Sequence, residues 1–322
     1  LKSITMDEFS LIDHFFKPLD IKRDDVLFGI GDDAACVRIP EGMNLLISTD
    51  TLVSNVHFLP HWDAYDIACK SVMVNVSDMA AMAAEPCWVT LALTLPELNP
   101  QWLNSFTRGL KDSLSRYRLS LIGGDTTHGP LSITLTILGT APKGKAVLRS
   151  GAKPGDIIVV SGELGAAALA IKLLENQKIP PNDKEELMNK LLHPKPRIDL
   201  IDFLRNYATA AIDISDGLSA DLNHICVASG VGACLNEEAI PIHALLNQYW
   251  PDHAVDIALT GGDDYELCFT VPEHRFALLM NEFKKANLHC YPIGVIEEAS
   301  GLRMKDANNQ CHKLTPAGYS HF

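Results

Sequence analysis

The sequence predicts a mixed α/β protein of two domains. Three observations point there. The chain has 322 residues, longer than one hydrophobic core usually serves. Its 47% apolar content is ample for packing. Strand-like and helical stretches alternate, yet several connections are hairpin-like, which suits mixed layers better than a purely parallel sheet. The stretch 141–156, rich in glycine and proline, is the best boundary, dividing the chain into domains of residues 1–145 and 146–322.

In the first half, residues 34–39 and 45–49 flank the turn Pro40-Glu41-Gly42 and read as a hairpin whose second strand ends on Asp50. Residues 64–84 carry apolar side chains at helical spacing and read as a buried helix containing Asp78, stopped by Glu85-Pro86. A strand at 88–95, an amphipathic helix at 102–117, and a short strand at 119–122 ending in Gly123-Gly124-Asp125 follow. A long strand at 131–140 closes the half. In the second, a strand at 157–161 precedes helices at 164–175, up to His193-Pro194, and at 197–207. The strand 210–215 leads into Asp213-Ile214-Ser215-Asp216-Gly217, with Ser215 or Asp216 as N-cap of a helix reaching Gly230. Gly261-Gly262-Asp263-Asp264 precedes a strand at 265–271, and one helix, one strand and a tail to Phe322 finish the chain. There is no tandem repeat.

The formal charge is −13 with no basic run, which argues against a nucleic-acid or anionic-membrane partner. Eight cysteines lie far apart without a Cys-x-x-Cys pair, so buried thiols in a reducing cytoplasm are expected. Residues 1–7 lack the order of a signal peptide, and no apolar run reaches the ~20 residues of a membrane span. The first residue is Leu1 rather than Met, as a trimmed start would give.

Gly29-Ile30-Gly31-Asp32-Asp33-Ala34 matches the dinucleotide pattern G-x-G-x-x-A, but β-like sequence follows where a helix is required. Its two carboxylates would also repel a pyrophosphate. Gly144-Lys145 lacks the spacing of a phosphate-binding loop. What remains is a set of acids, Asp33, Asp50, Asp78, Asp125, Asp213 and Asp216, set among glycine, small or apolar residues. The plain reading of any one is a turn or helix cap. Asp78 resists it, lying among Val74, Val76, Met79, Ala80 and Ala81 with Lys70 two turns away, so a metal ion is the better partner. Oxygen ligands select Mg²⁺, Mn²⁺ or Ca²⁺, and Mg²⁺ commonly joins carboxylates to substrate phosphates. Arg149, in the glycine-rich boundary, is a candidate for a nucleotide, against an ordinary exposed loop arginine. His57 could hold a substrate phosphate, although a lone histidine is more often an ordinary residue.

Read in order, Gly29-Ile30-Gly31-Asp32-Asp33-Ala34-Ala35, Ile47-Ser48-Thr49-Asp50-Thr51, Asn75-Val76-Ser77-Asp78-Met79-Ala80-Ala81-Met82, Gly123-Gly124-Asp125-Thr126-Thr127, Arg149-Ser150-Gly151-Ala152-Lys153-Pro154-Gly155-Asp156 and Ile212-Asp213-Ile214-Ser215-Asp216-Gly217 resemble the thiamine-monophosphate kinase family. The resemblance implies the fold shared with aminoimidazole ribonucleotide synthetase, two α/β domains with the N-terminal sheets of two subunits pairing in a homodimer. It implies direct in-line transfer from ATP to thiamine monophosphate, giving thiamine diphosphate, with several Mg²⁺ ions bridging ATP to the acids. Carried over by motif, Asp33, Ser48, Thr49, Asp50, Asp78, Asp125, Asp213 and Asp216 would bind metal. Gly124, Asp125, Arg149 and Ser215 would meet ATP, and His57, Asp263 and Tyr319 the thiamine phosphate. The family usually has Glu where Asp263 stands, leaving that contact open among Asp263, Asp264 and Glu266. Ser320 stands where Asp is common. Rival readings are a sister enzyme of the same superfamily, selenophosphate synthetase or aminoimidazole ribonucleotide synthetase, a two-metal phosphate hydrolase, and a regulatory module that binds Mg²⁺-nucleotide without turnover.

Overall fold

The computed structural model describes residues 8–19, 23–174 and 179–321. The expectation for residues 1–7 and the ends at Glu175 and Phe322 lie outside them. The chain divides into two compact units, one of Leu1–Met79 and Ala84–Gly144, the other of Ala80–Ala83 and Lys145–Phe322. No helix among the described residues is long and apolar enough to cross a membrane.

The first unit begins with a short helix, α1 (Glu8–Leu11), and a two-stranded ribbon of β1 (Val26–Phe28) and β2 (Cys36–Val37). There follow β3 (Met43–Val53), α2 (Ala64–Ala81), β4 (Glu85–Leu95), α3 (Pro100–Tyr117), β5 (Ser120–His128) and β6 (Ser132–Pro142). The sheet runs β3-β6-β4-β5, parallel only between β4 and β5, which α3 connects. Alternation builds it. Ile133, Leu135 and Ile137 of β6 are buried, while Thr134, Thr136 and Leu138 between them are partly exposed. The buried face carries α2: a Cβ at Gly139 would stand 2.6 Å from the Met79 sulfur. Asn99 caps α3 by accepting from the N–H groups of Gln101 and Trp102, with Pro100 at the first helical position.

Three expectations are corrected here. The hairpin of 34–39 with 45–49 does not form, because β2 pairs with β1 while Val26 and Val37 pack on Trp88 and Ile122. Asp50 does not end a strand: β3 pairs with β6 over its whole length, from Met43 opposite Pro142 to Val53 opposite Ser132. Nor does Asp125, since Thr126 and Thr127 carry β5 onward beside Leu93 and Thr94 of β4. In both places β-branched threonines follow the acid and suit the pleat, so pairing overrides the break that Asp and Gly suggest.

The second unit holds β7 (Asp156–Val160), α4 (Ala166–Leu173), α5 (Pro181–Leu192), α6 (Ile201–Tyr207), β8 (Ala210–Asp213), α7 (Leu218–Ser229), β9 (Gly232–Asn236), α8 (Ala244–Tyr249) and α9 (Ala254–Thr260). It finishes with β10 (Leu267–Pro272), α10 (Glu273–Lys285), β11 (Tyr291–Glu297), β12 (Gly301–Lys305) and β13 (Cys311–Leu314). Its sheet runs β13-β12-β9-β11-β7-β10-β8, with β12 parallel to β9. Val159, Phe269, Val271, Leu204, Leu279 and Phe283 belong to one core beneath α6 and α10. Three strands rather than one follow α10, the short polar β12 and β13 having too little apolar alternation to be read as strands alone. All eight cysteines are free, and six of them are buried.

Candidate active site

Along β3, Leu46, Ser48, Asp50 and Leu52 share one face, and Leu45, Ile47, Thr49 and Thr51 the other. The first face meets α2. There Ser48 Oγ donates to Asp78 Oδ2 at 2.5 Å, so the donor that the sequence around Asp78 lacks comes from a strand thirty residues earlier. Asp50 is pushed up to about 7, by burial first and then by the charge of Asp78 and the hydrogen bond with it. Two carboxylates so placed cannot both be comfortably ionised without a cation. Thr49 turns the other way, its Oγ1 2.9 Å from Thr136 Oγ1. Beyond the strand, Asn55 takes a left-handed φ of 63°, and the turn brings His57 Nδ1 to accept the N–H of Val53 at 2.9 Å. Acceptance at Nδ1 assigns the proton of the neutral ring to Nε2.

Asp33, Gly124 and Asp125 line a cavity of about 710 Å³ with the loop Gly29-Ile30-Gly31 and Lys17. Gly31 has φ 119°, a conformation that side chains resist. Gly124 is required for closeness, since a Cβ there would stand 2.0 Å from Leu91 O on the neighbouring strand. Asp33 and Asp125 are exposed. Among the described residues no three of His, Cys, Asp or Glu gather closely enough to hold a metal ion by themselves. Within the first unit, then, the acids fall into the half-buried Asp50–Asp78 pair and the cavity acids Asp33 and Asp125.

In the second unit, β8 ends at Asp213, which is buried, and the chain turns through Ile214, Ser215, Asp216 and Gly217 into α7. Neither Ser215 nor Asp216 caps that helix; Gly217 holds the position without a side-chain bond. Asp221, one turn in, does the work backwards: its Oδ2 accepts the N–H groups of Ser215, Asp216 and Gly217, each at 3.1 Å. Burial pushes Asp221 up to about 6, against those three donors. The sequence reading missed it, although an acid in the first turn of a helix is a recognisable signal. Asp263 and Tyr265 take left-handed φ values of 70° and 50°, unusual backbone that the surrounding bonds must hold. Arg149 is exposed, on a loop pinned by Ser229, whose Oγ accepts from Gly151 and Ala152 and donates to Arg149 O. Tyr319 is half exposed, its ring edge-on to His321 at 4.9 Å.

Of the three acids left open for one role, two are spent inside the unit. Both oxygens of Asp264 accept the Gly165 N–H at the start of α4. Glu266 Oε2 accepts from Ser161 Oγ and Arg197 Nη1 at 2.5 and 2.7 Å.

Two units of mixed α/β structure, with acids on the first and an acid-bearing strand-to-helix loop on the second, define the AIR synthase related class. The models for its N-terminal and C-terminal domains match residues 31–141 and 153–307. The chain is 51% identical to the thiamine-monophosphate kinase of Escherichia coli K12 over 269 residues, 83% of each chain. A crystal structure of thiamine-monophosphate kinase from Stenotrophomonas maltophilia K279a is 42% identical, with TM-score 0.85 over 93% of this chain and 96% of that one. AaThiL complexed with AMPPCP and TMP is 33% identical, with TM-score 0.79 over 98% and 97%. The chain belongs to the thiamine-monophosphate kinase family.

Asp264 supplies a test of the 263–265 loop. Burial pushes its carboxyl up to about 8 from an ordinary 3.8, with the charges of Glu266 and Asp263 adding to the shift and the Gly165 N–H opposing it. The folded state therefore keeps a proton that the unfolded chain has released, and stability falls as pH rises from about 4 to about 8. Asp264→Asn is expected to flatten that decline. Urea unfolding at about pH 5 and about pH 8 measures it, and equal declines in both proteins would contradict the assignment.

Proposed function

We propose that this chain, an ATP-dependent kinase of thiamine monophosphate that yields thiamine diphosphate, moves the γ-phosphoryl group in one in-line step without a phosphoenzyme. A phosphate oxygen of thiamine monophosphate forms the new bond to the γ-phosphorus as the bond to the bridging oxygen breaks, and ADP leaves. Such transfer asks for positioning and charge neutralisation rather than a nucleophilic side chain. The observation that carries the reading is the crowding of Asp50 against Asp78, which holds a proton on Asp50 up to about 7 where no cation replaces it.

Mg²⁺ fits these residues. The donors are hard oxygens, and two carboxylates with a hydroxyl suit an ion that takes its other ligands from water and substrate phosphates rather than from an all-protein cage. We assign Asp33, Ser48, Thr49, Asp50, Asp78, Asp125, Asp213 and Asp216 to several Mg²⁺ ions. When bound, the ions supply neutralisation of the phosphate charge. Gly124, Asp125, Arg149 and Ser215 are assigned to ATP. His57 would donate from Nε2 to the phosphate of thiamine monophosphate, Asp263 would meet the same substrate, and Tyr319 would offer its ring to the cationic heterocycle. Residues 1–145 thus supply most metal acids and residues 146–322 the rest.

We also propose a homodimer formed by the first unit. β3 is an edge strand of eleven residues, and Leu45 and Ile47 on it are 38% and 61% exposed. A long, apolar edge is a template for pairing, which a second copy would satisfy by twofold symmetry. Six buried thiols suit the reducing cytoplasm where we place the protein.

Purified protein with ATP and Mg²⁺ is expected to form thiamine diphosphate from thiamine monophosphate and not from thiamine. Asp50→Ala or Asp125→Ala should abolish turnover while circular dichroism stays unchanged. ADP release independent of thiamine monophosphate would mean hydrolysis instead, and full activity of Asp125→Ala would remove the metal assignment. Mg²⁺ affinity, read by calorimetry, should rise with pH through about 7 as the competing proton leaves Asp50, and Asp50→Asn should lose that rise. Ile47→Lys should shift the sedimentation coefficient from dimer toward monomer; a wild type that sediments as a monomer ends the dimer proposal.

A further inference from the structure

We propose that Asp221 is a positioning residue for the phosphoryl transfer, fixing through residues 215–217 both the nucleotide-side loop and the two segments on the substrate side. The inference rests on assigning Ser215 and Asp216 to ATP and metal, and Asp263 and Tyr319 to thiamine monophosphate.

Three successive N–H groups that converge make an anion-binding nest. Here the anion is built in. Asp221 Oδ2 accepts all three bonds at 3.1 Å, and the side chain is 2% exposed. With the N–H groups committed to Asp221, the carbonyls of the same turn are committed elsewhere. Ile214 O accepts the N–H of Tyr265 at 2.9 Å, and Ser215 O accepts that of Asp263 at 2.8 Å. Asp216 O accepts that of Tyr319 at 2.9 Å. Three consecutive residues therefore fasten both the 263–265 loop and the tail at Tyr319.

The fit leaves little slack. A Cβ at Gly262 would stand 2.5 Å from Ser215 O, and one at Gly318 would stand 2.6 Å from Asp216 O. Ser219, fully buried two residues before Asp221, donates to Ala317 O at 2.7 Å and accepts the Ala317 N–H at 3.1 Å, so the tail is held at a second point on the same helical turn. Asp263 and Tyr265 keep left-handed backbone only while those carbonyls hold them. Removal of the Asp221 carboxylate would leave three inward N–H groups without an acceptor, and the turn would relax where both substrate segments are attached.

The test compares the full-length chain with Asp221→Asn, Asp221→Ala, Tyr319→Ala and the double variant Asp221→Asn/Tyr319→Ala. It uses steady-state kinetics in Mg²⁺ with ATP and thiamine monophosphate varied in turn, and urea unfolding at the same temperature. Asp221→Ala is expected to lower kcat/KM by about tenfold to a hundredfold, with KM raised for both substrates under conditions where the protein is folded. Asp221→Asn, which keeps one neutral acceptor, should fall between it and the wild type and decides the matter if the alanine variant does not fold. The double variant should lose less than the product of the single losses, because both changes act through the turn at Asp216. A lower unfolding midpoint with both KM values intact, a rise in KM for one substrate alone, or multiplicative losses would each overturn the proposal. If Tyr319→Ala by itself leaves KM for thiamine monophosphate unchanged, the substrate-side assignment fails, independently of what the Asp221 variants show.

Discussion

Two carboxyl groups pressed together between a strand and a helix are the constraint around which the first unit is arranged. Asp50 and Asp78 are held side by side because β3 is paired to β6 along its whole length and α2 is packed by buried Ile67, Val72, Val76 and Met79. The packing energy of the scaffold offsets the repulsion at the site. Ser48 relieves part of it by donating to Asp78, and the proton retained by Asp50 relieves the rest in the absence of a cation. The pair is thus satisfied by a hydroxyl donor on one carboxyl and a retained proton on the other.

The second unit meets a different demand with backbone rather than charge. Its residues 214–217 are short of regular structure, yet every N–H from Ser215 to Gly217 and every carbonyl from Ile214 to Asp216 has a named partner. Buried or half-buried backbone must be paired, and a loop can be as fixed as a strand when it is. The glycines at 217, 262 and 318 allow this because each lies where a Cβ would meet backbone atoms.

Much of this was legible in the sequence. Helix α2 and its Asp78 and the strand carrying Asp213 follow from apolar period. The ordered acid motifs identified the family because so many must occur together. What could not be read was long-range. Asp50 and Asp125 sit inside strands because β6 and β4 pair with them, Asp50 opposite Leu135 and Asp125 opposite Ala92, and no local pattern announces partners so distant in sequence. Ser48 as the donor to Asp78, Asp221 beneath the 215–217 turn, and the internal commitment of Asp264 and Glu266 have the same origin. Each depends on which side chains the topology brings opposite one another.

The two faces of β3 carry an implication for how this gene can vary. Leu45, Ile47 and Thr49 alternate with Leu46, Ser48 and Asp50, so one strand encodes an outward row with Ile47 and an inward row with Ser48 and Asp50 in interleaved letters. Substitution alters one letter. An in-frame loss or gain of a single codon ahead of Ser48 would instead slip the register by one, sending the hydroxyl and carboxylate outward and isoleucine against the helix. This strand should therefore tolerate changes of residue far better than changes of length.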